Sequence, residues 1–372
     1  MLKQHIRSVA CTLFAVGVCA STLASADEVD AALYIRSDSD RTTVIAPRVR
    51  GQVAIDEQTE ISAVYSVDVW TSASIDIMTS ASQVPVTEQR DEIDLAVDHE
   101  LTDVTLTLAY RYSVEPDYVS HGVSGGFGYD FADNNATLAV GLSASSDAVG
   151  RAGDPDFDRA SGTVGARFSF TQVLSARSLA QVVYEVGRVG GYQVSPYRFV
   201  AIGGNGLCTS SVTSPGLAAL CVPETSPGAR LRHAVALEAK HALSESLSID
   251  GMYRFYLDDW GIVSHTLRGE GVFSLDAETL LAVSYRLYLQ GPADHYQPRY
   301  DVPQTYVTSD KELSTLSSHR LGLELEHTWT TERSGALTAA LSLGGIYYAY
   351  SDFLPLDSIT ALEVTTSLVY AP

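Results

Sequence analysis

Apolar and polar residues alternate with a period of two along most of the chain, the spacing of strands whose two faces meet different surroundings. From 103 to 112, Val104, Leu106, Leu108, Tyr110 and Tyr112 share one face, and Thr105, Thr107, Ala109 and Arg111 share the other. At 247 to 258, Leu247, Ile249, Tyr253, Phe255 and Leu257 alternate with a set that includes Asp250, Arg254 and Asp258. At 317 to 328, Leu321, Leu323 and Leu325 oppose Arg320, Glu324 and Glu326. Sixteen such segments fit between residues 30 and 370. No run of 18 apolar residues follows residue 26, so the pattern predicts strands and no membrane-spanning helix.

The connections between these segments sort by parity. Asp56 to Gln58, Glu100 to Thr102, Ala132 to Asn135, Gln172 to Arg177, Ser244 to Ser246, Leu275 to Ala277 and Trp329 to Gly335 are all short. The long connections, near 70–85, 146–158, 189–229, 290–316 and 350–360, fall only on the other side. A soluble sandwich has no reason to separate its loops in this way, whereas outer-membrane barrels have short periplasmic turns and long extracellular loops. The expected fold is all-β: a transmembrane antiparallel β-barrel of about 16 strands over 27–372, in the outer membrane of a Gram-negative bacterium.

The N-terminus agrees with export. Lys3, His5 and Arg7 precede the apolar stretch Val9 to Val18, and Ala24-Ser25-Ala26 has the small-x-small form of a cleavage site. The stretch is shorter than the roughly 20 residues of a membrane anchor, so residues 1–26 read as a cleaved signal peptide. Of the cysteines beyond it, Cys208 and Cys221 lie in a segment rich in Gly, Ser and Pro and are expected to form a disulfide. Their spacing fits no metal site. With 45 acidic against 24 basic residues the formal charge is −21, which argues against nucleic acid as a partner.

Charges on the face opposite the apolar one include Asp94, Arg111, Arg167, Glu185, Arg232, Glu238, Lys240, Arg254, Arg268, Glu270, Arg286, Arg320, Glu324 and Glu326. A cation at mid-bilayer on a lipid face costs about 2 to 4 kcal/mol, so these residues are expected to line a lumen. There they either orient small polar solutes or pair with one another and stiffen the wall. His233, His241, His319 and His327 share parity with the apolar face and read as interfacial side chains. Phosphate-cradling glycine loops, His-Glu-x-x-His and paired Cys-x-x-Cys are absent, so no catalytic residue and no metal are expected. The expected partners are outer-membrane lipid, small polar solutes and, through the near-terminal Tyr370, the barrel-assembly machinery.

One local motif points elsewhere. Asp-x-x-Thr-Ser-Ala-Ser occurs at Asp68 to Ser74 and again at Asp76 to Ser82. It resembles the periplasmic flavin-attachment signature, with Ser72 and Ser80 standing where that signature has Gly. On that likeness Asp68, Thr71 and Ser74, or Asp76, Thr79 and Ser82, would carry a covalent flavin mononucleotide and a redox role. The plainer reading is a small-residue loop that narrows the lumen, with no cofactor.

The stretch Ala32 to Glu92 carries Tyr34-Ile35-Arg36-Ser37-Asp38-Ser39-Asp40, Val44-Ile45-Ala46-Pro47, Tyr65-Ser66-Val67-Asp68, the two Thr-Ser-Ala-Ser segments and Glu88-Gln89-Arg90-Asp91-Glu92. On these residues the chain resembles an uncharacterised family of Gram-negative outer-membrane proteins known as a domain of unknown function. The resemblance implies fold and location and brings no activity. Three functions therefore stand open: a conduit for small polar solutes, a flavin-bearing redox component, and a structural or surface-interaction barrel with a closed lumen.

Overall fold

The computed structural model describes residues 27–72, 74, 86–204, 208, 218–331 and 335–372; the expected signal peptide lies outside them. The barrel strands are β1 (Glu28–Asp38), β2 (Thr42–Ala54), β3 (Thr59–Ser72), β4 (Val86–Glu100), β5 (Val104–Glu115), β6 (Tyr118–Phe131), β7 (Ala136–Val149), β8 (Arg159–Ser175) and β9 (Ser178–Gly191). Two short strands, β10 (Phe199–Gly204) and β11 (Ala218–Pro223), then interrupt the series. It resumes with β12 (Ala229–Ala242), β13 (Leu247–Asp258), β14 (Val263–Ser274), β15 (Thr279–Gln290), β16 (Leu316–Thr331), β17 (Gly335–Tyr350) and β18 (Ser358–Ala371).

Sixteen strands close into one antiparallel barrel in which β9 pairs with β12 and β1 pairs with both β2 and β18. Closure leaves no open edge, the condition for placing a sheet in lipid. Alternation places Leu108, Leu142, Leu267, Leu321 and Leu362 on the outside, each more than half exposed. A belt of that composition is unfavourable in water and is what a hydrocarbon layer covers. Arg111, Arg254 and Arg320 point the other way, their partners being carboxylates of the inner wall.

Two features differ from the sequence reading. β8 runs on to Ser175, shortening the expected turn Gln172 to Arg177 to two residues. A bulge between Val173 and Ser175 lets Val173 and Leu174, neighbours in sequence, both face outward. The segment 189–229, read as one loop, contains the β10–β11 hairpin as a separate two-stranded sheet. Six-residue strands among glycines carry too little alternation to stand out.

Cys208 and Cys221 are disulfide-bonded, with Cα atoms 5.8 Å apart, and both are buried. The bond staples this hairpin and no barrel strand. Closing a loop of this size is worth about 3 kcal/mol on the chain-entropy account. Replacing both cysteines by Ser is therefore expected to leave heat-modifiable electrophoretic mobility intact while limited proteolysis cuts within 192–228 much faster. Loss of the barrel itself in that variant would contradict this separation.

Candidate functional site: the lumen wall and its cap

Alternation on the strands sets every inward charge against a neighbour at fixed register. Arg111 Nε donates to Asp94 at 2.6 Å and lies 3.7 Å from Glu92. Glu185 is shared by Arg167 at 2.7 Å and Arg254 at 3.4 Å. Arg268 donates to Asp250 at 2.6 Å and Glu238 at 3.1 Å. Arg48 pairs with Asp30 at 2.6 Å, and Arg90 pairs with Asp68. Glu270, Arg320, Glu324 and Glu326 line one recess on β14–β17. A larger recess of about 660 Å³ is lined by Thr107, Ser124, Gly126, Gly141, Ser143, Gly165 and Gly187 together with Arg167, Glu185, Arg232 and Arg254. The wall of this recess thus passes from small, neutral residues on β5–β7 to charged ones on β8, β9, β12 and β13.

On β14, β15 and β16 three arginines stand side by side, Arg268 opposite Arg286 and Arg286 opposite Arg320. The outer two are neutralised. Arg320 reaches across β17 to β18, where its Nε donates to Glu363 at 2.9 Å, and Glu363 also accepts from the Tyr34 hydroxyl at 2.7 Å. Glycines make that reach possible. A Cβ on Gly344 would sit 2.9 Å from the Glu363 carboxylate and 3.0 Å from the Arg320 guanidinium, and one on Gly322 would sit 2.8 Å from the same guanidinium. The middle arginine, Arg286, has no ion pair to a described residue, and its Nε is buried without a hydrogen-bond partner. Arg232 and Lys240 likewise form no ion pair among the described residues. Asp30, Arg48, Asp250 and Glu363 complete the wall; they obey the same parity as the residues singled out from sequence, and that signal would have found them.

The barrel mouth on the side of the long connections is covered by two of them docked on each other, 192–228 and 291–315. Ile202 bridges to Tyr300 and Thr225 to Val307. Val200, Ile202, Tyr300 and Val307 form an apolar cluster beneath them. Beside it the Thr308 hydroxyl donates to the buried Glu224, while Arg198 lies 3.5 Å from Glu224 and 2.9 Å from Asp310. A second cluster, Trp260, Ile262, Ala293, Tyr296 and Leu313, holds the cap to the β13–β14 tip. At the rim the Tyr197 hydroxyl donates to Asp117 in the β5–β6 turn and accepts from the Ala152 N–H at 2.6 Å. On the far side, the Tyr296 hydroxyl donates to the Asp352 carbonyl at 3.2 Å, and Lys311 is 4.0 Å from Asp40. No pattern in the sequence announces this cap, because its contacts join segments about a hundred residues apart.

His295 sits inside the cap, edge-on to Trp260 with ring centroids 5.1 Å apart, its Nε2 hydrogen-bonded to Ser226 Oγ at 3.0 Å. Burial, and then the nearby Arg230, hold its pKa below the ordinary histidine value. A freed loop takes up a proton near pH ~6.5, before the docked one does. Docking is therefore at full strength above that pH and weakens as pH falls through the interval down to the depressed value. Proteolysis within 291–315 is expected to accelerate on acidification through this range, and His295→Gln is expected to flatten the dependence.

The tandem repeat is only partly described. Asp68 and Thr71 lie on β3, and Ser74 is buried, its N–H donating to Ser72 Oγ at 3.1 Å. Asp76, Thr79 and Ser82 lie outside the described residues. No group of three or more His, Cys, Asp or Glu able to hold a metal occurs among the described residues.

The profile of a family described as "Protein of unknown function (DUF3570)" matches residues 72–161 and 156–343. No curated protein sequence matches the chain. A solved structure described as "Bacterial polysaccharide outer membrane secretin" is 12% identical, with 92% of this chain and 98% of that one covered and a TM-score of 0.51. The Vibrio cholerae outer-membrane protein OmpT, in a form lacking loop L8, is 6% identical over 92% and 98% of the two chains, with a TM-score of 0.46. The Pseudomonas putida toluene transporter TodX is 9% identical over 93% and 89%, with a TM-score of 0.43. At such identity the first of these speaks for fold alone. The apolar belt, the closed sixteen-stranded sheet and a profile match over well over half of its length make this chain an outer-membrane β-barrel of a Gram-negative bacterium that belongs to the DUF3570 family.

Proposed function

We propose that the barrel is a conduit for small polar solutes, with a mouth restricted by the docked loops. The observation that carries this reading is Arg286, held on the inner wall between two other arginines and in no ion pair with a described residue. An unpaired cation is stable inside a barrel only in water, so the reading requires a wet lumen. Walls carrying both signs set a field along a pore and favour solutes by charge. Arg286 biases passage toward anions despite the chain's acidic balance.

Planar-bilayer recording tests this. The protein is expected to give discrete conductance steps, and Arg286→Gln is expected to shift the reversal potential under a salt gradient toward cation preference. A folded protein that never raises conductance would leave the third reading, a structural or surface-interaction barrel with a closed lumen. The specific observation favouring that alternative is the cap, whose buried clusters make it a folded body over the mouth.

A further inference from the structure

The outer face carries a recurring pair that the lumen does not need. On four pairs of neighbouring strands a tyrosine hydroxyl meets histidine Nδ1: Tyr110 with His121 at 2.8 Å, Tyr184 with His233 at 2.8 Å, Tyr253 with His265 at 2.8 Å, and Tyr285 with His319 at 2.6 Å. The register is the same each time. Each histidine lies directly opposite the residue two beyond its tyrosine, namely Tyr112, Val186, Phe255 and Leu287. A second set lies near the periplasmic end, where His99, His241 and His327 bond Thr59, Ser178 and Thr279 directly across the ladder.

His233 and His241 share β12, and His319 and His327 share β16, eight residues apart in both cases. At about 3.3 Å per residue and a tilt near 40°, that is roughly 20 Å along the barrel axis. The separation suits the two edges of a hydrocarbon layer. Apolar residues fill the interval on both strands, with Val235, Leu237 and Ala239 on β12 and Leu321, Leu323 and Leu325 on β16.

With Nδ1 engaged by the tyrosine, Nε2 is the nitrogen left to each extracellular histidine. None of the four has a hydrogen-bond partner for it among the described residues. Just above the Tyr184–His233 pair stands Arg188, opposite Leu231 on the outward face, exposed and without an ion pair to any described residue. An arginine on the lipid face is tolerated only near the interface, where headgroup phosphates neutralise it. In the tautomer in which the tyrosine donates to Nδ1, the imidazole proton sits on Nε2 and can be directed at the same oxygens.

We propose that this extracellular belt binds the phosphates of anionic lipid headgroups in the outer leaflet, with Arg188, His233 and Tyr184 as its strongest point. The belt would fix the barrel's height and orientation in the membrane independently of anything that passes through the lumen.

The test uses the full-length barrel in nanodiscs of phosphatidylcholine with a minority of phosphatidylglycerol, followed by native mass spectrometry of the lipid that stays bound. Wild-type protein is expected to retain phosphatidylglycerol about fivefold over its share of the bilayer, the effect of one cation beside an anionic surface. Arg188→Gln and His233→Phe should each reduce the enrichment, and together they should abolish it, while His241→Phe at the other belt leaves it unchanged. Heat-modifiable mobility confirms that each variant is folded, and the single Arg188→Gln change serves if His233→Phe is not. No enrichment in the wild type, or full enrichment in the folded Arg188→Gln variant, overturns the proposal. Displacement of the lipid by inorganic phosphate would assign the site to a free anion and overturn it equally.

Discussion

Removing the β10–β11 hairpin, by joining Arg198 to Glu224 through a short glycine linker, is expected to raise single-channel conductance severalfold. Val200 and Ile202 supply half of the apolar cluster that Tyr300 and Val307 complete. Ile202 also forms a bridge that ties the two connections together. Without the hairpin, 291–315 loses one of its two apolar seats; toward the shortened connection it keeps only polar contacts, Thr308 with Glu224 and Arg198 with Asp310, while Ala293, Tyr296 and Leu313 still anchor it to Trp260 and Ile262 at one side. Such polar contacts contribute little once water reaches them. The barrel should persist, since β9 and β12 pair over their full length without the hairpin. A folded deletion variant with unchanged conductance would place the cap beside the solute path and not across it.

The contrast between wall and cap explains how far the sequence could be read. Inside and outside were legible because lipid and lumen impose opposite chemistry at a period of two, and Leu321-Gly322-Leu323-Glu324-Leu325-Glu326 shows it within six residues. Which inner charges meet was not legible. Arg320 and Glu363 are 43 positions apart and on strands that are not neighbours, and their contact depends on the missing side chains of Gly322 and Gly344. Asp250 and Glu238 converge on Arg268 from two different strands, which requires the register of both. The cap was least legible, because its strands are short and its partners are set by loop docking with no repeating pattern. The tyrosine–histidine belt lies between these cases. Two of its histidines, His233 and His319, were visible by parity, and the hydrogen bonds that give all four a common orientation needed the diagonal geometry of each strand pair.

The sharpest quantitative expectation concerns two adjacent residues of β16. Leu323 faces outward between Val283 and Leu343, midway between His319 and His327, and is 46% exposed. Glu324 is its neighbour in sequence and faces the lumen among Glu270 and Glu326. Leu323→Arg puts a cation at the centre of the hydrocarbon layer and is expected to cost about 2 to 4 kcal/mol of folding stability in a bilayer. That corresponds to a loss of roughly 30-fold to nearly a thousandfold in the folding constant. Glu324→Arg moves the same guanidinium by one residue into an acidic, wet recess, where it relieves like-charge repulsion and should cost less than about 1 kcal/mol. Urea-dependent folding into lipid vesicles measures both. Equal losses would mean that the two faces of β16 meet similar surroundings, which is incompatible with lipid on one side and water on the other. In detergent-free urea titration of the vesicle-inserted protein the difference should also shrink as the cation moves toward an edge of the belt, so that Leu321→Arg, four positions nearer the cap than Leu325→Arg, and Leu325→Arg itself each cost less than Leu323→Arg.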